Sequence, residues 1–277
     1  MNNRLDFIVA SSIALLTSAG LILSMVAIPA VAQAPLPGGT YTQNFDTLAN
    51  TGTSSTTPTG WTFLEAGNNA NTTYTAGTGS SNTGDTYSYG PAGSTDRAFG
   101  ELSSANLVST LGVQFQNQTG STVGSLSIQY TCEQWRRGST AADALTFQYS
   151  TDATALNNGT WTALAGLNCS TVTTAGNNTA LNGNLPANRA TINATITGLT
   201  IVNNSTFWLR WSGADASGND DGLAIDDFSL QMFTPTAITL QSLSANGTSH
   251  SLVVLALVSS LIVACSLILL RRRSRVA

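Results

Sequence analysis

Leu126-Ser127-Ile128-Gln129-Tyr130-Thr131-Cys132-Glu133 alternates apolar and polar residues without a break. A period of two puts Leu126, Ile128, Tyr130 and Cys132 on one face of an extended chain and the rest on the other. That is the pattern of a half-buried strand. Leu145-Thr146-Phe147-Gln148-Tyr149-Ser150 repeats it as a partner strand, and Phe207-Trp208-Leu209-Arg210-Trp211 supplies another. Working outward, shorter candidates lie at 41–45, 60–64, 97–102, 113–117, 161–164, 190–196 and 223–232. Residues 67–94 are almost all Gly, Asn, Ser and Thr, with Tyr74, Tyr87 and Tyr89 among them, and read as short strands joined by long loops. Between residues 35 and 240 there is no amphipathic helix and no repeat of fixed period. Many short strands with Gly-rich turns predict an all-β, jelly-roll-like antiparallel β-sandwich.

The two ends read differently. Residues 1–32 carry Arg4, a long apolar run from Phe7 to Ala30, and Ala30-Val31-Ala32, a small-x-small cleavage site that leaves Gln33 first. This predicts a signal peptide, with an uncleaved signal anchor as the other reading because the run is long. Leu252 to Leu270 is an uncharged apolar run followed at once by Arg271, Arg272, Arg273 and Arg275. A run of that length spans a bilayer as a helix, and basic residues beside it mark the cytoplasmic side. The expected order is therefore a signal peptide (1–32), a β-sandwich ectodomain (33–232), a stalk (233–250), a transmembrane helix (251–270) and a cytoplasmic tail (271–277). The predicted placement is the cell surface, single-pass, with the sandwich outside.

The exported part has five arginines, no lysine and thirteen acids, a difference of −8. Such a balance argues against nucleic acid as a partner. Of three cysteines, Cys265 falls in the apolar run, while Cys132 and Cys169 fall in the exported part. There a disulfide can persist, so the two either pair or remain separate thiols.

In a chain this poor in charge, Gly218-Asn219-Asp220-Asp221-Gly222-Leu223-Ala224-Ile225-Asp226-Asp227-Phe228 stands out for its four carboxylates around one short apolar strand. Calcium takes six to eight hard oxygens, and Asn219, Asp220, Asp221, Asp226 and Asp227 offer them. Leu223 and Ile225 share one parity, and Phe228, Leu230 and Met232 the other, so the apolar face switches at Asp226-Asp227. A β-bulge produces such a switch. First and last strands of a sandwich often adjoin, which would bring Asp46 to the same site. The alternative is a set of solvated turn acids.

A second constellation is Glu133-Gln134-Trp135-Arg136-Arg137. Continued alternation would put Glu133, Trp135 and Arg137 on a polar face, as it would Trp208 and Arg210 on their own strand. Exposed aromatics flanked by hydrogen-bonding groups can hold a sugar ring or a peptide. The competing reading has Trp135 buried at a core edge with the arginines paired to acids. Catalysis finds little footing. The one histidine is His250, beside the apolar run, so the domain has no imidazole for a hydrolytic triad or a zinc site. A carboxylate pair could still hydrolyse glycosides, but Glu65, Glu101 and Glu133 show no pairing in their spacing.

Three segments carry a family resemblance: Asn44-Phe45-Asp46-Thr47-Leu48 with Pro58-Thr59-Gly60-Trp61, then Ile128 to Arg136, then Asp220 to Phe228. In this order, ahead of an anchor, the chain resembles the bacterial choice-of-anchor surface-protein domains. The resemblance spans roughly residues 40–232. It implies a lectin-like or MAM-like β-sandwich shown at the bacterial surface, binding rather than catalysing, with no particular ligand implied. No sorting motif of the LPxTG or Pro-Glu-Pro kind precedes the apolar run. The reading from sequence is an adhesion or carbohydrate-binding module, with a glycan or surface protein as partner and a structural calcium. The alternatives are a structural envelope protein without a small ligand and, more distantly, a carboxylate-based hydrolase.

Overall fold

The computed structural model describes residues 33–37, 40–139 and 142–235. The expected signal peptide, transmembrane helix and arginine tail lie outside the described residues, as does the stalk beyond Pro235. Among the described residues no helix is long and apolar enough to cross a membrane.

The chain is all-β. In order the strands are β1 (Ala34–Leu36), β2 (Thr40–Gln43), β3 (Thr53–Ser54), β4 (Trp61–Ala66) and β5 (Tyr74–Gly77). There follow β6 (Asp85–Tyr89), β7 (Ala98–Leu102), β8 (Val108–Asn117), β9 (Ser125–Arg137) and β10 (Ala144–Ser150). Then come β11 (Thr162–Ala163), β12 (Cys169–Ser170), β13 (Thr179–Ala180), β14 (Arg189–Ile196), β15 (Thr206–Ser212) and β16 (Gly222–Phe233). The first sheet runs β1-β8-β15-β10-β11, with β4 also on β8 and β12 also on β10. The second runs β13-β9-β16-β7-β6-β5-β3, with β14 also on β9 and β2 also on β16.

The sheets are mixed, which corrects the wholly antiparallel expectation. β1 runs parallel to β8 through Ala34↔Phe115, and β5 runs parallel to β6 through Thr75↔Tyr87. β1 fills the stretch of the β8 edge that β4 leaves open, since β4 pairs only with residues 108–113.

Alternation builds the core. Leu126, Ile128, Tyr130 and Cys132 of β9 are buried, and so are Phe207, Leu209 and Trp211 of β15 and Leu145 and Phe147 of β10. Aromatic rings fill the space between the sheets: Trp61 lies 5.9 Å from Trp211 of its own sheet, 5.3 Å from Phe228 of the other and 4.7 Å from Phe45 in the loop after β2. Each such pair adds about 1 kcal/mol beyond its burial. Cys132 and Cys169 are joined as a disulfide, tying the second sheet to the first across 37 residues of chain. Closing a loop of that length stabilises the fold by about 4 kcal/mol in the chain-entropy account.

β16 is the spine of the second sheet. It pairs with β9 along most of its length, with β7 at its start and with β2 at its end. Its register on β9 shifts between Asp226 and Ser229, and Asp227 sits at φ +48°. This is the bulge that the parity switch predicts, and it moves the buried set from Leu223 and Ile225 to Phe228 and Leu230.

Candidate functional site

The head of β16 opens onto a cleft of about 510 Å³. One wall is the connection after β7, from Leu102 to Asn106, and the other is the turn from Asp215 to Asp220. Asn82 and the Arg136 side chain complete it. Gly218, at φ +101°, sets the turn, and Asn219 fastens it to the far end of β9. The Ser139 backbone N–H donates to Asn219 O at 2.8 Å, and the Asn219 N–H donates to Ser139 Oγ at 2.9 Å. Asn219 Nδ2 also donates to Asn178 Oδ1 at 2.7 Å.

The two acids of this turn have different fates. Asp221 is buried and saturated. It accepts from Arg137 Nη1 at 2.8 and 3.1 Å, from the Gly138 N–H at 2.7 Å and from Thr171 Oγ1 at 2.7 Å. Asp220 lines the cleft and accepts from the Ala216 N–H at 2.6 Å. Burial pushes its carboxyl above the ordinary aspartate range, and Asp215 adds to the effect. Behind it Glu101, buried on β7, accepts from Ser103 Oγ at 2.7 Å. Burial drives Glu101 well up, with Asp143 and Asp220 adding repulsion. Asp143 rises to about 6 through burial, even though the Ala144 and Asp221 N–H groups favour its charge. Arg136 donates to Gly79 O and Ser80 O at 3.1 and 3.3 Å. The cleft is thus a polar recess of hydroxyls, amides, carboxyls and one guanidinium, fitted to a ligand that both donates and accepts hydrogen bonds.

The six expected calcium ligands are not gathered. Asn219, Asp220 and Asp221 stand at the head of β16, and Asp221 is taken by Arg137. Asp226 and Asp227 stand at the bulge. Asp46, beyond β2, is exposed and accepts from the Arg97 N–H at 3.2 Å and Asn44 Nδ2 at 2.6 Å. Among the described residues no three His, Cys, Asp or Glu side chains converge as a metal requires. At about 3.3 Å per residue, strand rise alone separates the two acid pairs by well over 10 Å.

At the bulge Asp226 is buried beside Glu133, on the same face of the adjoining strand. Burial, then the Glu133 charge, pushes Asp226 from 3.8 to about 9. Burial pushes Glu133 to about 7, although Trp135 Nε1 donates to its Oε2 at 2.9 Å. Two such carboxyls hold a proton between them near neutral pH.

The exposed aromatic face is also corrected. Trp135 and Trp208 are both buried, on different sheets. From Cys132 to Arg137, β9 is buried on both faces, because loops cover the side that alternation would leave wet. The Leu181 N–H donates to Trp135 O at 2.8 Å, and the Gly79 backbone presses so close that a Cβ there would lie 1.7 Å from Trp135 O. Trp135 stacks on Tyr89 at 5.9 Å, and Tyr89 on Tyr87 at 4.8 Å, forming a small second core outside the sheet. Trp208 packs under Ala153, Leu156 and Trp161. Glu133 and Arg137 are buried with partners, while Arg210 remains half-exposed. Sequence reasoning missed Asp143, weighed Glu101 as an unpaired hydrolytic carboxylate, and took Arg136 as a candidate structural partner of acids. Their signal lay in position, at strand ends that the topology brings to one rim.

No protein-family model matches the chain, and no curated protein matches it. Its fold shows low overlap with several solved structures. The family 11 carbohydrate-binding module of Clostridium thermocellum is 9% identical over 70% of this chain and 95% of its own, with a TM-score of 0.36. The cleaved adhesin domain of Lys-gingipain from Porphyromonas gingivalis is 14% identical over 63% and 92%, at 0.37. A xylan-binding domain from Paenibacillus barcinonensis is 11% identical over 71% and 95%, at 0.32. Overlaps this low carry no argument about what this chain binds.

Proposed function

We propose that this protein is a non-catalytic binding module, displayed outside the cell on a membrane anchor, whose rim cleft takes a hydroxyl-rich ligand such as the end of a glycan chain. The observation that carries this reading is the cleft itself, about 510 Å³ with Ser103, Ser104, Asn106, Ser217, Asp220 and Arg136 on its walls. Neutral hydroxyls both donate and accept, and these side chains offer both. The absence of lysine throughout, and of histidine before His250, favours binding over hydrolysis. Within this reading a calcium ion would sit at the bulge of β16, where Asp226 and Glu133 offer two carboxyls and the remaining oxygens must come from the backbone and from water.

A glycan array probed with the full-length protein tests the reading. Retention of particular neutral saccharides, lost in Asp220→Ala with melting unchanged, supports it. Retention that Asp220→Ala leaves intact moves the site elsewhere. An array without hits favours a structural envelope role.

A further inference from the structure

The outer face of the first sheet carries a single charge. On this side of β15 lie Trp208, covered by the loop carrying Ala153 and Leu156, then Arg210 and Ser212; the facing positions on β8 and β10 are Gln114, itself buried, and Thr110, Thr146 and Gln148. No acid points outward from these strands or from β4, whose Glu65 is turned in to accept from Thr86 Oγ1 at 2.7 Å. In a domain with thirteen acids this face is the exception.

Arg210 is held rigidly there. Its Nε and Nη2 both donate to Gln148 Oε1, at 2.8 and 2.6 Å, and its Nη1 donates to Leu156 O. The guanidinium carbon lies 3.8 Å from the centre of the Trp161 ring. Gly112 lets this happen, because a Cβ there would lie 2.4 Å from Leu156 Cδ2 and lift the loop that carries Leu156 and Trp161. Asp152, in the same loop, is occupied by Ser150 Oγ and the Thr160 N–H.

Arginine has five N–H donors, one on Nε and two on each terminal nitrogen. Three are used, so one remains on each terminal nitrogen. No ion pair is made to it; among the described residues the ion pair is Arg137–Asp221. Burial alone lowers its affinity for the proton, with no acid acting on it. Fixing a cation by a neutral amide, a carbonyl and an aromatic ring leaves no acid against its charge and one N–H on each terminal nitrogen to spare.

We infer that Arg210 is a subsite for a carboxylate on a hydroxylated ring, a uronic-acid residue of a glycan. A carboxylate can take both remaining donors at once, the arrangement that makes arginine pairs strong. The flanking hydroxyls and amides suit the sugar ring. The acids elsewhere on the domain are largely screened at physiological salt. This site lies on the sheet face, apart from the rim cleft, and its test does not depend on that cleft.

The test is calorimetric titration of the full-length protein with trisaccharides of galacturonate, glucuronate and mannuronate, each against its uncharged methyl ester. At least one acid form should bind roughly ten-fold tighter than its ester, the size of one charge-assisted contact. Arg210→Gln should remove that preference, and Arg210→Lys should restore part of it. Equal affinity for acid and ester across the panel overturns the inference without any variant. So does a preference that survives Arg210→Gln. Binding of a peptide carboxy terminus with no uronate binding overturns it as well. Asp220→Ala should leave the preference intact, which separates this site from the cleft.

Discussion

The head of β16 and the bulge midway along it carry the same chemistry, adjacent aspartates, and use it in opposite ways. At the head, Asp221 meets a buried guanidinium and two hydrogen-bond donors besides. At the bulge, Asp226 meets another buried carboxyl. Burial is severe at both, yet the first acid is held in an ion pair while the second is driven toward its neutral form. What an acid does is set by the side chain that the facing strand delivers. The register of β9 on β16 delivers Arg137 to the head and Glu133 to the bulge.

The head should be the more fragile. Arg137→Ala strands a buried carboxylate and is expected to cost about 3–5 kcal/mol. At roughly 2–4 °C per kcal/mol that is a fall of about 6–20 °C in melting temperature. Adding Asp221→Asn should recover part of the loss, and a purely additive double variant would break the pairing argument.

The bulge should respond with the opposite sign. The folded value of Asp226, about 9, lies above its ordinary 3.8, so the folded protein keeps a proton that the unfolded chain releases in that window. The contribution is fully present below the unfolded value and is lost as pH rises towards 9. Glu133, raised to about 7, acts in the same direction. Asp226→Asn should therefore raise stability at pH 8.5 by roughly 1–3 kcal/mol, change it little at pH 4, and flatten the pH profile of melting. An unchanged slope would mean that the acid is not buried in solution.

Calcium would sharpen the contrast further, because a cation bound at the proposed Asp226–Glu133 site would compete with the proton held there. At millimolar calcium and pH 8 melting should rise by about 1–2 °C, as expected for modest occupancy. No rise should occur at pH 5 or in Asp226→Asn. The head should not respond, since Arg137 already occupies Asp221. The smallest effect belongs to Asp227, a non-glycine residue at φ +48°. Asp227→Gly should relieve strain and gain about 0.5 kcal/mol by denaturant unfolding.

Much of the sheet structure was legible in the residues. Alternation placed β9, β10 and β15, and the parity switch placed the bulge at Asp226-Asp227. Period two reports which face a residue takes and not what covers that face. Trp135 therefore read either as exposed or as buried at a core edge, and burial holds because the chain near Gly79 and Leu181, far off in sequence, lies over it. The parallel partners β1 and β5 escaped because three or four residues carry too little pattern. The acids of 218–227 read as one site because they are close in sequence. An extended chain is the conformation that separates sequence neighbours most, and here it sends them to different partners. The cleft was half legible: the turn at Gly218 to Asp220 stood out in the sequence, but Arg136 and the wall from Leu102 to Asn106 reach it only through the pairing of β9 and β7 with β16.

The most direct measurement is hydrogen–deuterium exchange of the full-length protein with and without a neutral saccharide retained on the array. The account predicts slowed exchange at residues 102–106 and 215–220, the two walls of the cleft, with the bulge around Asp226 unchanged. Protection confined to other strands, with both walls exchanging as in the free protein, would contradict it.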